Sequence, residues 1–308
     1  LTKHVQHLLE QKSPILIDGG LSNVLETKGC DLNHPLWTAK LLSENPEILV
    51  DSHLVYIKSG AQVIATASYQ ASFPGLIALG YTERQAKDLM LKSVKLVQRA
   101  IEKAKEEQID TRLTWIAASL GPYGAYLADG SEYQGNYGVS NEVLRNFHSN
   151  RWKVFENSEV DLLAFETIPS LEEAQVISEL VRNGTKPSWV SFSCKDHEHL
   201  NDGTALADAV KIFQDHPSVF ALGINCTHPK YISKLIQVIK SNSGKKIVVY
   251  PNSGEVYDAV TKTWEKTDEP RSYAELAQKW IAEGADLIGG CCRIGPKHIQ
   301  TLNDQMID

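Results

Sequence analysis

Near its C-terminus the chain runs DLIGGCCRIG, residues 286–295, with two cysteines side by side at Cys291 and Cys292. Adjacent thiols are chemically awkward, because a disulfide between them closes a strained ring and a reducing compartment works against it. A third cysteine, Cys226, follows another apolar run, VFALGIN at 219–225. Three thiolates brought to one point form a donor set suited to zinc. Structural zinc sites usually recruit four protein ligands, often as paired C-x-x-C knuckles, and no such pair is present. Three ligands with an open fourth position is instead the catalytic arrangement. His228 is close to Cys226 in the chain, but it falls at a helix start where a solvated surface role fits better. Taken singly, a free cysteine is more often an inert core residue, and that reading is kept for Cys30 and Cys194.

The donor set also constrains the reaction. Zinc that activates water normally carries histidine or carboxylate ligands, which leave it strongly Lewis acidic. Three thiolates donate much charge and suit the metal to binding a fourth thiol, which coordination deprotonates at neutral pH. The expected chemistry is alkylation of a thiol substrate.

For distant cysteines to meet, the intervening chain must position them. Short apolar runs recur: ILID (15–18), QVIATAS (62–68), TWIAAS (114–119), DLLAFE (161–166), SWVSFS (188–193), VFALGIN (219–225), KIVVYP (246–251) and DLIGG (286–290). Near-continuous apolarity suits parallel strands buried on both faces. Helical signals separate them. Asn45-Pro46 reads as a cap with proline at the first helical position, closed at Gly60. Thr82 with Gln85, Ser170 with Glu173 and Ser272 with Glu275 read as capping boxes, and Thr227 and Pro296 stand where further helices begin. The first boxed helix presents Met90, Val94, Val97, Ile101 and Ala104 along one face. Segments 141–158 and 204–214 supply the remaining helices. The alternation predicts an α/β fold, a single (β/α)8 TIM barrel domain over residues 1–308 with its active site at the C-terminal face. A doubly wound open sheet is the alternative, but no glycine fingerprint follows the first strand. In a barrel the strand ends carry Asp18-Gly19-Gly20, Thr66 to Tyr69, Glu166-Thr167, Asn225-Cys226 and Cys291-Cys292-Arg293. The sixth and eighth strands share parity, and alternate strands feed the same interior layers, so Cys226 can reach Cys291 and Cys292. Two long connections, 121–140 and 252–270, would lie on the same face, and loops of that length are usually functional or mobile.

Composition narrows the partners. Net charge is -7, with 42% hydrophobic and 22% charged residues, which argues against a nucleic-acid footprint. No apolar run approaches a membrane span. The opening LTKHVQHLLEQKSP reads as an amphipathic helix rather than a signal peptide, and the odd, sparse cysteines do not form a disulfide framework. A cytoplasmic location is the expectation.

The pairing of NC (225–226) with GGCCR (289–293), together with DGG (18–20), TASYQAS (66–72) and ETIP (166–169), resembles the homocysteine S-methyltransferase family over essentially the whole chain. The stretches at 119–137 and 248–264 are most similar to the branch that uses S-methylmethionine as donor. The resemblance implies one zinc per chain on Cys226, Cys291 and Cys292. It implies that Asp18 and Glu166 hold the homocysteine ammonium group, and that the Gly19 and Thr66 amides receive its carboxylate. Strand-end carboxylates need a cationic partner on physical grounds as well, although a helix cap or a surface charge would also account for them. Asn225 is expected to support the cysteine loop, and Arg293 to neutralise the thiolate cluster or back it up. A sulfonium donor, S-methylmethionine or S-adenosylmethionine, is attracted by aromatic faces; Trp37, Tyr69, Tyr123 and Tyr126 are the candidates, with Tyr133 as a further loop residue. Ordinary loop packing is the competing reading for the tyrosines. Asp129 and Glu132 can attract a cation or simply be solvated. Alternatives within the family are a betaine donor or a selenocysteine acceptor. From another class comes a non-catalytic zinc-binding or thiol redox-sensing protein. Betaine-dependent relatives carry an additional C-terminal arm that this sequence lacks, and a monomer is the expectation that follows.

Overall fold

The computed structural model describes residues 3–11, 14–258, 263–265 and 272–306. Eight parallel strands pair around a barrel: β1 (Ile15–Leu16), β2 (Val63–Ala65), β3 (Trp115–Leu120), β4 (Leu162–Ile168), β5 (Ser188–Phe192), β6 (Val219–Asn225), β7 (Lys246–Tyr250) and, after a two-stranded ribbon of β8 (Val256–Asp258) and β9 (Thr263–Glu265), β10 (Leu287–Ile288). The pairing order is β1-β10-β7-β6-β5-β4-β3-β2. An isolated bridge between Ile17 and Val63 joins the two ends, aided by Asp18 N to Val63 O at 3.0 Å and Gln62 N to Leu16 O at 2.7 Å. This is the expected (β/α)8 architecture. Of the long connection at 252–270, residues 259–262 and 266–270 lie outside the described residues.

Strand periodicity sorts the side chains. Ile15, Ile17, Trp115, Ala117, Leu162, Ala164, Trp189, Ala221, Val248, Tyr250 and Leu287 form one buried cluster, made of residues two apart along each strand, as a barrel interior requires. Leu8, from the N-terminal helix Lys3–Glu10, joins that cluster fully buried. The residues between them join the larger layer packed under the helices. Continuing the inward register upward reaches Ser119, Glu166, Ser191, Asn225 and Cys291. The hydrophobic floor of the barrel and its polar mouth are therefore one pattern read at two heights.

Two helix starts differ from expectation. Helix Pro229–Asn242 is capped by His228 rather than Thr227: the His228 Nδ1 accepts from the Lys230 amide at 3.2 Å. Thr227 Oγ1 instead accepts from Cys194 N at 3.0 Å and donates to Asn225 O at 2.9 Å, so it ties the β5 and β6 exits together. Ser170 caps Leu171–Val181 through the Glu173 amide, but the Glu173 side chain turns inward and does not return the bond. The boxes at Thr82–Gln85 and Ser272–Glu275 are reciprocal as expected.

Gly223 in β6 is a position where only glycine fits. A Cβ there would lie 1.7 Å from the Val248 carbonyl oxygen of β7, so any larger residue forces two paired strands apart. Gly223→Ala is expected to cost at least roughly 1–3 kcal/mol, the usual range for overpacking. Gly244→Ala, where nothing lies within 4 Å, should stay within about 0.5 kcal/mol of the parent. Thermal or denaturant unfolding of the two variants checks this; equal stability would contradict the packing argument.

Candidate active site

The cysteines meet at the mouth of the barrel. The Cys226 and Cys291 sulfurs are bonded as a disulfide, their Cα atoms 5.6 Å apart. The Cys292 sulfur lies 4.0 Å from that of Cys291, and all three sulfurs fall within 4.8 Å of one another. Zn–S bonds of about 2.3 Å in a tetrahedron require sulfurs about 3.8 Å apart, so reduction and a small separation of the bonded pair give a three-sulfur metal site. Burial pushes the Cys292 thiol up to about 12, with the Glu132 charge adding to the effect and the Tyr133 hydroxyl, hydrogen-bonded to it, opposing. A thiol so placed becomes a thiolate near neutral pH only beside a strong cation, which a metal supplies. Arg293 is not that cation. Its guanidinium is spent on Glu255 at 2.7 Å and Glu26 at 3.6 Å.

The backbone explains how the ligands are aimed. Cys226 has φ 47° and Arg293 φ 68°, left-handed values that non-glycine residues seldom adopt. At Cys226 this breaks the alternation of β6, so the residue after inward-facing Asn225 need not point outward. The neighbouring glycines act by close approach. A Cβ on Gly19 would lie 2.3 Å from Ile294 O, one on Gly20 2.6 Å from Cys291 O, and one on Gly289 2.8 Å from Asp18 O. The DGG turn and the GGCC turn thus interlock main chain to main chain, with Gly20 N bonded to Ile294 O at 2.9 Å and Gly290 N to Asp18 O at 3.1 Å. Cys291 N to Pro251 O at 2.9 Å and Ser253 N to Cys292 O at 3.1 Å tie the same turn to the end of β7.

Two buried carboxylates share this mouth. Asp18 accepts from the Ala65 amide at 2.9 Å. Burial holds its carboxyl well above the usual range, the Ala65 bond opposes this, and the Glu166 charge raises it further. Glu166 accepts from Ser119 Oγ and, at 3.0 Å, from Tyr250 Oη. Burial raises it, while those two hydrogen bonds and the Arg151 charge pull it down. Tyr250 is held in turn by Trp189 Nε1 at 3.0 Å and by Ser191, which also reaches Asn225 Oδ1 at 2.8 Å. Asn225 clamps Thr167 on both sides, its Oδ1 accepting from Thr167 N and its Nδ2 donating to Thr167 Oγ1, each at 2.7 Å. Thr167 has φ 62°, so this clamp fixes the strained residue beside Glu166.

The remaining expected residues divide. Thr66 is buried beside the site, but its amide is already bonded to Ala117 O at 2.9 Å and its hydroxyl to Ser68 Oγ at 2.7 Å. The Gly19 and Ala67 amides take no partner among the described residues. Trp37 and Tyr69 meet edge to face with centroids 6.2 Å apart. Tyr123 and Tyr126 pack instead with each other, Tyr137 and Phe147, at centroid distances of 5.2–5.8 Å.

Sequence reasoning missed the supports under the 121–140 connection. Glu173 accepts from Tyr123 N at 2.6 Å, His148 Nε2 at 2.7 Å and Tyr137 Oη at 3.0 Å. Buried Arg151 donates to the carbonyls of Gly121 at 3.0 Å and Tyr69 at 3.3 Å. Ser119, Ser191 and Tyr250 were missed as well. They sit inside apolar runs, and only their even spacing from Trp115, Trp189 and Val248 marks them as inward-facing.

Comparison with known proteins agrees with this geometry. A family model described as homocysteine S-methyltransferase matches residues 15–306. A Bacillus subtilis protein named homocysteine S-methyltransferase YbgG is 45% identical over 97% of this chain and 96% of its own length. A selenocysteine methyltransferase from Astragalus bisulcatus is 40% identical over 93% and 90%. The crystal structure of the Escherichia coli homocysteine methyltransferase MmuM in its metallated form superposes with a TM-score of 0.88 at 40% identity, over 98% of this chain and all of that one.

The buried carboxylates give a stability test. Asp18 titrates above its unfolded value, so between about pH 4 and its raised native value the folded chain holds more protons than the unfolded one. Stability is therefore lost as pH rises through that interval. Asp18→Asn is expected to raise the melting temperature near neutral pH by a few degrees, at roughly 2–4 °C per kcal/mol, with the gain vanishing below about pH 4. Calorimetry across that pH range checks it; a variant less stable than the parent at neutral pH would contradict it.

Proposed function

Because the chain belongs to the homocysteine S-methyltransferase family, we propose that it transfers a methyl group from S-methylmethionine to the thiol of L-homocysteine, giving methionine, with one zinc ion held by Cys226, Cys291 and Cys292. The observation that carries this reading is the convergence of three sulfurs within 4.8 Å beside two buried carboxylates that have no ion-pair partner among the described residues. Zinc at this donor set supplies a cation that lowers the pKa of an incoming thiol. Asp18 and Glu166 receive the homocysteine ammonium group, which removes the cost of two unpaired buried charges. Tyr250 and Ser119 keep Glu166 oriented, and Asn225 holds the strand ends on which Glu166 and Cys226 sit. The Gly19 amide is free for the substrate carboxylate; the Thr66 amide is spent, so neighbouring Ala67 offers the second donor. Trp37 and Tyr69 face the sulfonium, an attraction worth roughly 0.5–2 kcal/mol per ring.

The reaction needs no acid. The substrate thiol gives its proton to solvent, its sulfur forms a bond to the donor methyl carbon, and the old carbon–sulfur bond breaks with its electron pair left on the departing sulfur. That sulfur leaves as a neutral thioether. The protein supplies alignment of two sulfurs about one methyl, the kind of positioning that gives large effective molarities.

The experiment is a methyl-transfer assay on reduced, zinc-supplemented protein with S-methylmethionine, S-adenosylmethionine and betaine as donors, homocysteine and selenocysteine as acceptors, and metal measured in the same samples. Cys226→Ser is expected to lose zinc and activity together; activity in the metal-free variant would refute the assignment. Glu166→Ala is expected to keep zinc and raise the homocysteine KM about 10–100-fold, the scale of a lost charged hydrogen bond. An unchanged KM would remove Glu166 from substrate binding.

A further inference from the structure

Glu132 lies in a single 3-10 turn, Ser131–Tyr133, of the connection after β3. Its Oε2 is buried and has no hydrogen-bond partner among the described residues. Its charge is felt by Cys292 and by Tyr69, and the hydroxyl of the next residue, Tyr133, hydrogen-bonds to Cys292. The turn therefore lies beside both the cysteine cluster and Tyr69, the ring that meets Trp37 edge to face.

The turn is not a loose surface loop. Gly135 N bonds to Ser131 O at 2.9 Å and Tyr133 N to Gly130 O at 3.0 Å. Gly124 packs so closely that a Cβ there would lie 2.4 Å from Glu132 N. Gly135 abuts Pro169, where a Cβ would lie 2.8 Å from the carbonyl oxygen. Nearby Asp129 is already engaged by the Ser131 amide at 2.9 Å. Of these two acids, Glu132 is the one left with a buried oxygen unpaired among the described residues.

An unpaired buried acceptor is costly, and native structures rarely leave one without a ligand or water to satisfy it. What satisfies it must carry an N–H or O–H. A sulfonium centre carries neither, and a quaternary ammonium such as betaine carries neither. The α-ammonium group of an amino acid carries three N–H donors. One such group, that of homocysteine, is assigned above to Asp18 and Glu166, so the second amino acid in the site is the donor. We propose that Glu132 binds the α-ammonium group of the methyl donor and so selects amino-acid sulfoniums over donors that lack an amine. This rests on the methyl-transfer reading and adds to it the residue that recognises the donor's amine.

The test uses the full chain, reduced and zinc-loaded, as the parent and as Glu132→Gln. Steady-state rates are measured with S-methylmethionine and with dimethylsulfoniopropionate, a sulfonium without an amine, and S-methylmethionine is titrated calorimetrically in the absence of acceptor. Glu132→Gln is expected to lower kcat/KM for S-methylmethionine about 10–100-fold. Its affinity in the titration should fall by a similar factor, with zinc content and the homocysteine KM unchanged. Any slow turnover of dimethylsulfoniopropionate should be the same in both proteins. Glu132→Asp, which keeps the charge, should recover part of the loss. Equal affinity of parent and variant for S-methylmethionine, or an equal fall for both donors, overturns the proposal. If the parent binds S-methylmethionine but transfers no methyl group, the methyl-transfer reading fails while the titration still decides the role of Glu132.

Discussion

Two carboxylates are buried within one barrel mouth, with no cationic side chain paired to either among the described residues, and most of the surrounding structure follows from that. Each lone buried charge is a cost. The protein limits it with hydrogen bonds from uncharged groups: the Ala65 amide on Asp18, Ser119 and Tyr250 on Glu166. A cationic side chain there would offset that cost, and on the proposed reading it would fill the place of a substrate ammonium. Arg151 marks the compromise. It lies near enough to pull the Glu166 carboxyl down, yet its guanidinium bonds go to two main-chain carbonyls.

The second constraint is covalent geometry at the strand ends. A regular strand sends alternate residues to opposite sides, so Glu166 and Thr167, or Asn225 and Cys226, cannot both serve one site while the strand continues. The left-handed values at Thr167 and Cys226 break the rule where it must be broken. Such conformations cost of order 1–3 kcal/mol each and persist where neighbours over-determine them. Asn225 is that neighbour for Thr167, through two opposed hydrogen bonds. At the β1–β10 seam the problem is distance, and paired glycines solve it by letting main chain touch main chain.

This division explains what the sequence made legible. The eight strands were visible because burial on both faces leaves long apolar runs, and the three cysteines because their chemistry is rare. Ser170-x-x-Glu173 reads as a capping box, but the same spacing also leaves the glutamate able to turn inward, and three donors under the 121–140 connection outweigh one N-cap amide. Thr227 is a good cap by type, yet the His228–Pro229 pair one residue later takes the role. Ser191 and Tyr250 looked like core because their neighbours are apolar; only the parity of the barrel separates floor from mouth. Positive φ at cysteine, threonine and arginine leaves no local signal in the chain at all.

The 121–140 connection is held as part of the scaffold, which on the proposed reading leaves recognition to fixed charge. A lid must exchange its contacts as it moves. Here the connection is bonded to the scaffold at both ends: Gly121 to Arg151, Tyr123 and Tyr137 to Glu173, and Gly135 packed against Pro169. Glu173 lies on the helix that follows β4, the strand that carries Glu166, and Arg151 bonds both the Gly121 and Tyr69 carbonyls. The two sides of the mouth thus share one rigid frame. A carboxylate held in such a frame cannot relax toward water to relieve its desolvation, so it favours a cation that arrives in the right place and gives little to one that does not. The proposed methyl transfer between two sulfurs asks for that property, because donor and acceptor must be aligned about a single carbon before any bond changes.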